Sequence, residues 1–134
     1  MILEYVGTEP TRAHPTDAGY DLCASHPATL FVGSITKVST GTSVAIPPGH
    51  VGIIKDRSSM GAKGVHVLGG VIDSGYRGEL VVMLTPLADA PIDINAGDRI
   101  AQLIIVPVAT PPTARVESLP PADRGDNGFG STGR

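Results

Sequence analysis

Short apolar runs, rich in β-branched residues and ended by glycine or proline, recur at close spacing along the chain. Polar residues alternate with apolar ones inside several of them, which is the period of a β-strand. No helical segments alternate with the runs, so the pattern predicts an all-β sandwich or barrel rather than a parallel α/β sheet. The candidate strands are residues 1–6, 17–22, 30–32, 35–38, 43–46, 50–55, 65–68, 79–85, 92–94, 99–108 and 115–119.

A single short helix is predicted between the strands. It begins near Ser58 and runs to about Lys63, where Gly64 ends it. Asp56 or Ser58 is expected to cap its first turn, because both side chains accept hydrogen bonds from free backbone N–H groups.

Composition narrows the class of protein. Seventeen glycines and twelve prolines disfavour long helices. A net charge of -3 provides no basic surface for nucleic acid. The single cysteine, Cys23, excludes an intrachain disulfide and fits a reducing compartment, and the longest apolar run, residues 100–108, is too short to cross a membrane. We therefore expect a soluble cytoplasmic protein with no nucleic-acid or membrane partner.

The composition shifts after residue 110 to proline, alanine, aspartate and glycine. With 134 residues, the chain is predicted to form one β domain, residues 1–119, followed by a flexible tail, residues 120–134. The tail contains Arg124, Phe129, Ser131 and Thr132 among several glycines. A cation, an aromatic ring and exposed N–H groups suit a lid over a phosphorylated, ring-bearing ligand.

Residues 70–79 hold the most distinctive pattern. They place Asp73 and Tyr76 three positions apart on what is predicted to be a tight, glycine-flanked hairpin between two apolar runs. An aspartate held there can orient a water or accept its proton, and the phenol ring can bear on a ring-shaped substrate. The alternative is a surface β-turn in which Asp73 serves geometry alone.

Three further positions carry candidate chemistry. Arg57 followed by Ser58 and Ser59 at a helix start offers a guanidinium fork and free N–H groups to phosphate oxygens, although a plain capping site would look the same. Gln102 lies inside an apolar strand, so its amide must find buried partners or face a polar site. Asp21 either faces solvent or lies near a metal-bound water.

Taken together, five stretches resemble in order the five motifs of the trimeric dUTP pyrophosphatase (dUTPase) family. They are residues 17–22, 57–59, 70–79, 97–102 and 124–133, and they extend over nearly the whole chain. The resemblance implies a β jelly-roll subunit and a homotrimer with active sites at subunit interfaces. It also implies a C-terminal tail that closes over a site formed by other chains, and Mg²⁺-dependent hydrolysis of dUTP to dUMP and pyrophosphate.

The resemblance also assigns roles to single residues. Asp73 would hold and deprotonate the water that attacks the α-phosphorus, and Tyr76 would press on the sugar and exclude a 2′-hydroxyl. The backbone at Gly70, Val71 and Ile72 would read the uracil. Phosphate binding falls to Arg57, Ser58, Ser59 and Gln102, with Arg124 at the γ-phosphate, Ser131 and Thr132 nearby, and Phe129 over the base. Mg²⁺ would arrive with the triphosphate, Asp21 would touch only its waters, and no direct protein ligand to the metal is expected.

Two other functions remain open at this point. A dCTP deaminase, or a bifunctional deaminase–dUTPase, shares the fold but needs an acid further along the strand after the hairpin, and residues 80–85 contain none. A regulatory nucleotide-binding protein on the same scaffold would bind nucleotide without turnover.

Overall fold

A computed structural model describes residues 1–128 of the chain. It contains ten strands and one helix, and every strand pairing is antiparallel. The elements are β1 Glu4–Gly7, β2 Gly19–Cys23, β3 Ala28–Leu30, β4 Thr36–Ala45, β5 His50–Lys55, α1 Ser58–Ala62, β6 Val65–Leu68, β7 Val71–Ile72, β8 Glu79–Pro86, β9 Ile92–Ile94 and β10 Arg99–Pro107.

Two four-stranded sheets form the body of the fold, in the orders β1-β4-β8-β6 and β2-β10-β5-β7, and β3 pairs with β9 in a small third sheet. One apolar cluster draws residues from both large sheets, including Val82 and Leu84 of β8 and Leu103 of β10. The core therefore lies between the sheets, and the predicted all-β, jelly-roll-like fold with one short helix is confirmed. No helix in residues 1–128 has the length and apolarity needed to cross a bilayer.

The strand β4 differs from the prediction, which divided it into two segments at Gly41. It runs unbroken through Gly41, whose positive φ of 68° accompanies a register shift against β8 between Ser39 and Ser43. The buried Thr40 hydroxyl donates to the carbonyl of Leu80, 2.6 Å away. A bulge thus bends the strand without ending it.

The central segment is not the tight hairpin that was predicted. Strands β6 and β8 do pair, but the chain between them leaves their sheet, and β7 pairs with β5 in the opposite sheet. Gly70 lies at this crossing with a φ of 98°, and a Cβ there would come within 2.6 Å of the Ile54 carbonyl oxygen. Glycine is required because the two backbones approach so closely.

Two smaller expectations were wrong. No side chain caps α1: Arg57 occupies the N-cap position in extended conformation, and Asp56 bonds to β6 instead. The predicted strand over residues 115–119 is absent from the described chain, where these residues are exposed and without strand pairing. Leu119 is 83% exposed, so the apolar pattern there has no sheet to pack against in this chain alone.

Candidate active site

A polar cleft of about 440 Å³ opens between the sheet β2-β10-β5 and the start of α1. Its walls combine two arginines, two serines, an amide and two carboxylates, which suits an anionic, hydrogen-bonding ligand. The lining residues are Ala13, Asp17, Ala18, Gly19, Asp21, Arg57, Ser58, Ser59, Arg99 and Gln102.

Strand register explains why residues distant in sequence meet at this cleft. Gln102 of β10 lies opposite Asp21 of β2 on one side and opposite Lys55 of β5 on the other. The chain leaves β5 at Lys55, so Arg57 and the start of α1 follow immediately beside Asp21. The predicted residues Asp21, Arg57, Ser58, Ser59 and Gln102 are thereby brought together.

The guanidinium of Arg57 is held by protein contacts. Its Nε donates to Asp21 Oδ1 over 2.9 Å, and its Nη1 makes longer contacts of 3.4 Å with Ser59 Oγ and the carbonyl of Arg99. The side chains of Arg57 and Asp21 are 26% and 17% exposed, so the ion pair is shielded from most of the solvent. An arginine held at Nε and Nη1 keeps Nη2 available to a second anion.

Sequence reasoning missed Arg99 as a site residue. Its Nε lies 3.9 Å from Asp21 Oδ2, so the carboxylate lies between two guanidinium groups. Arg99 stands at a register shift in the β2–β10 pairing, after which Ile100 and Ala101 are both buried. The sequence feature that could have revealed Arg99 is the pair of adjacent apolar residues that follows it. Such a pair breaks the alternation of a strand and indicates a bulge.

The same bulge sets the direction of Gln102. Because Ile100 and Ala101 both face the core, the alternation restarts, and Gln102 faces the cleft while Leu103 is buried. Its Nε2 donates to the carbonyl of Asp56 over 2.8 Å. The amide has a second N–H to offer a ligand. A buried partner or a polar site was expected for this residue, and the structure gives it both.

Gly19 makes room for that amide. A Cβ at position 19 would lie 2.1 Å from Gln102 Oε1, a distance that real Cβ atoms do not show. The small residue in β2 is therefore needed for the Gln102 side chain to lie across the strand.

The carboxylate of Asp56 lies just outside the cleft. Partial burial would raise its pKa, but the hydrogen bond from His66, the hydrogen bond from the Val67 backbone, and the positive charges of His66 and Lys55 together hold the pKa below its ordinary value of 3.8. Asp56 is accordingly ionised at neutral pH.

A second, smaller cleft of about 210 Å³ holds four of the other predicted residues, and Gly70 does not line it. It is lined by Val71, Ile72, Asp73, Tyr76, Glu79 and Val81. A turn closed by the Tyr76 N–H and the Asp73 carbonyl, 3.1 Å apart, sets the two side chains on one side of the loop. The Tyr76 hydroxyl donates to the carbonyl of Glu79 over 2.9 Å, and the ring lies against Gly78, which has no Cβ to displace it.

The two clefts share no lining residue. Ile72 pairs with Gly52 of β5, whereas Gln102 pairs with Lys55 of the same strand. Three residues of a strand measure about 10 Å, so within one chain Asp73 and the polar cleft are separated by about that distance along β5.

Of the four candidate site residues in the tail, Arg124 lies within the described residues, and it lines neither cleft. Its Nε donates to the carbonyl of Asn127 within a local turn. Phe129, Ser131 and Thr132 lie outside the described residues. In residues 1–128 no three His, Cys, Asp or Glu side chains come together in a way that could hold a metal ion.

A polar cleft with two arginines and a second cleft with a carboxylate and a phenol, on an all-β sandwich, suit an enzyme that acts on a phosphorylated, ring-bearing ligand. The comparisons agree with that class. A sequence profile of the dUTPase family matches residues 7–133. The chain belongs to the dUTPase family.

Known members resemble the chain over most of its length. The deoxyuridine 5′-triphosphate nucleotidohydrolase of Rhodococcus erythropolis is 48% identical over an alignment of 128 positions that covers 92% of this chain and 78% of that protein. A variant of the Staphylococcus bacteriophage 80alpha dUTPase with dUpNHpp has a TM-score of 0.89 at 30% identity, with 99% of each chain covered. A variant of the dUTPase from phage phi11 of S. aureus, whose structure concerns a structural Mg(II) ion, has a TM-score of 0.83 at 28% identity and covers 89% of this chain and 99% of that one.

Proposed function

We propose that this protein is a dUTP diphosphatase, which hydrolyses dUTP to dUMP and pyrophosphate. The observation that carries the proposal is the cleft where Asp21 holds Arg57, with Arg99 and Gln102 beside it, in a chain that belongs to the dUTPase family over residues 7–133. Such hydrolysis limits the incorporation of uracil into DNA and supplies dUMP for thymidylate synthesis.

The polar cleft binds the triphosphate. Arg57 presents its Nη2, Ser58 and Ser59 their hydroxyl and N–H groups, and Gln102 its free N–H. Arg99 adds a second guanidinium at the rim, where its side chain is 60% exposed. Cationic and N–H donors of this kind neutralise the phosphate charge that otherwise repels an incoming nucleophile.

Asp73 acts on the water. Its carboxylate accepts a proton from the water while the water oxygen attacks the α-phosphorus. The bond from that phosphorus to the bridging oxygen of the β-phosphate breaks, and pyrophosphate leaves with the electron pair. The 3′-hydroxyl of the deoxyribose is a second partner for the same carboxylate.

The neighbouring backbone and ring select the nucleoside. Gly70, Val71 and Ile72 present N–H and carbonyl groups to the uracil edge, in a pocket too tight for a 5-methyl group. The Tyr76 ring, anchored through its hydroxyl to Glu79, occupies the position of a ribose 2′-hydroxyl. Exclusion by shape comes from the bulk of the ring, which also lies against Gly78, and the hydroxyl bond helps to hold it there.

Mg²⁺ enters bound to the triphosphate. When bound, it neutralises and orients the phosphate oxygens. The donor set fits this role, because Asp21 already accepts from Arg57 and has only its second oxygen near Arg99. Asp21 would therefore contact the ion only through water, and no direct protein ligand would be needed.

Completion of the site requires other copies of the chain, and we propose a homotrimer. Within one chain the clefts of Asp73 and Arg57 share no lining residue, which supports a site assembled from more than one subunit. Val71 and Val81, which line the cleft of Asp73, are 66% and 39% exposed, and an interface between subunits would bury this apolar pair. The tail from residue 120, with Arg124, Phe129, Ser131 and Thr132, closes over a site built by its neighbours.

No observation favours the deaminase, since residues 80–85 contain no acid. Incubation with Mg²⁺ and dUTP, dCTP, dTTP or UTP, followed by product identification, tests the proposal. We expect dUMP and pyrophosphate from dUTP alone. Ammonia from dCTP would assign the chain to the deaminases, and binding without turnover would make it a regulatory protein. The cytoplasmic location stays a prediction.

A further inference from the structure

Asp56 joins the two large sheets beside the polar cleft. It follows β5 in one sheet, and its carboxylate reaches β6 at the edge of the other. One oxygen accepts from the Val67 backbone N–H over 2.7 Å, and the other from His66 Nδ1 over 2.9 Å. With the pKa of Asp56 below its ordinary value, both bonds are charge-assisted at neutral pH.

The backbone of the same residue bonds a side chain that lines the cleft. Its carbonyl accepts from Gln102 Nε2 over 2.8 Å, and the next residue is Arg57. Two side chains that line the cleft therefore take their position from the peptide that Asp56 anchors.

The anchored strand leads to the other cleft. From His66 and Val67, β6 continues for one more residue before Gly69 and Gly70, after which the chain reaches Asp73. Ile54, two residues before Asp56, donates its N–H to the Gly70 carbonyl over 2.7 Å. The Asp56 carboxylate holds the middle of β6 to the residues beside the cleft of Arg57. The backbone bond between Ile54 and Gly70 holds the segment that leads to Asp73 to the same strand, β5.

We propose that Asp56 is a positioning residue for triphosphate recognition, which sets Arg57 and Gln102 relative to β6 by bonding both the Val67 N–H and His66. This inference rests on the proposed function. Asp56 itself lines neither cleft and touches no substrate. Its loss therefore weakens the binding of phosphate groups and leaves the binding of the base and sugar intact, because the Gly70 backbone bond does not depend on its side chain.

The test compares two ligands on the full chain. Binding of dUpNHpp, a triphosphate analogue, and of deoxyuridine, which has no phosphate, is measured for the wild type and for Asp56→Ala. We expect a loss of about tenfold for dUpNHpp, a common size for one charged hydrogen bond, and less than about twofold for deoxyuridine. A merely structural residue would weaken both ligands alike, and that result, or unchanged dUpNHpp binding, would overturn the proposal.

Three variants complete the design. Asp56→Asn keeps an acceptor for the Val67 N–H and should recover most of the affinity. His66→Ala keeps that bond and should show a smaller loss, again for dUpNHpp only, which tests the inference even if Asp56→Ala does not fold. The control is Thr29→Val, which removes a 2.9 Å bond to Asp93 between β3 and β9 and should alter neither affinity.

Turnover of dUTP by the wild type is measured in the same series. Its absence would defeat the proposed function. Normal wild-type turnover combined with unchanged dUpNHpp affinity in all the variants would defeat only the role of Asp56.

Discussion

The Nε of Arg57 lies 2.9 Å from Asp21 Oδ1, which joins the start of the only helix in residues 1–128 to the second strand. This contact fixes the direction of a guanidinium that would otherwise be free to move in a cleft of about 440 Å³. A fixed cation binds phosphate without a further loss of side-chain entropy on binding. The pair therefore prepares the cleft before the ligand arrives.

Removal of the carboxylate should cost substrate affinity. In Asp21→Ala we expect the KM for dUTP to rise about tenfold, equivalent to about 1.4 kcal/mol. The reason is that Arg57 loses its anchor and Arg99 its nearest counter-charge. Steady-state kinetics measures the change, and circular dichroism checks that the fold is retained. An unchanged KM would show that Arg57 is held by its other contacts.

The role of Asp73 is tested by Asp73→Asn. The amide keeps the shape of the side chain but cannot accept a proton, so kcat should fall by about 10² to 10⁴. The melting temperature should stay near that of the wild type, because Asp73 is exposed in this chain. Wild-type kcat in this variant would contradict the assignment of Asp73 as the base.

Two variants of Tyr76 separate the role of the ring from the role of its hydroxyl group. Tyr76→Ala removes the group placed against the sugar, so the preference for dUTP over UTP should fall. Tyr76→Phe keeps the ring and loses only the bond to the Glu79 carbonyl, so it should retain most of the preference. The ratio of kcat/KM for the two nucleotides measures both. Equal selectivity in Tyr76→Ala and the wild type would place sugar recognition elsewhere.

Gly19 is expected to be intolerant of a side chain. In Gly19→Ala the new Cβ would meet Gln102 Oε1 at 2.1 Å, so the amide must leave the Asp56 carbonyl. We expect weaker dUpNHpp binding, measured by calorimetry. The control is Gly61→Ala in the helix, where nothing lies within 4 Å of the added Cβ and helix propensity favours alanine. Normal binding in Gly19→Ala would mean that Gln102 does not need its observed position.

The lowered pKa of Asp56 predicts how stability depends on pH. The folded state holds this pKa below its ordinary value of 3.8, so the unfolded chain binds the proton more readily. The resulting stabilisation is fully present above that ordinary value and is lost as pH falls through the folded-state pKa. The gap in the free energy of unfolding between wild type and Asp56→Asn should therefore be larger near pH 7 than in acid, where it closes. Chemical denaturation at a series of pH values measures it, and a gap independent of pH would contradict the prediction.

Much of the fold was predictable because its signals are local. Alternation and glycine or proline breaks located most strands, and the motif containing Arg57, Ser58 and Ser59 located the helix. The same local signals failed where contacts between residues far apart in sequence determine the structure. Gly41 looked like a strand end, but pairing with β8 carries the chain through it as a bulge. β7 leaves the sheet of β6 and β8 because Gly70 packs against Ile54, and that contact has no local signature.

The site shows the same division. Asp21, Arg57 and Gln102 could be selected one by one from their residue types and the family resemblance. Arg99 and Asp56 could not, because their importance comes from bonds to residues far away in sequence. Asp56 was expected to cap the helix, and the structure assigns its carboxylate to Val67 and His66. A capping residue and a link between sheets look identical in sequence.

The most direct test of the account is turnover of dUTP in water enriched with ¹⁸O, with Mg²⁺ present and both products analysed by mass spectrometry. Attack by water at the α-phosphorus predicts one ¹⁸O atom in dUMP and none in pyrophosphate. Label in pyrophosphate, release of orthophosphate in place of pyrophosphate, or no turnover at all would contradict it.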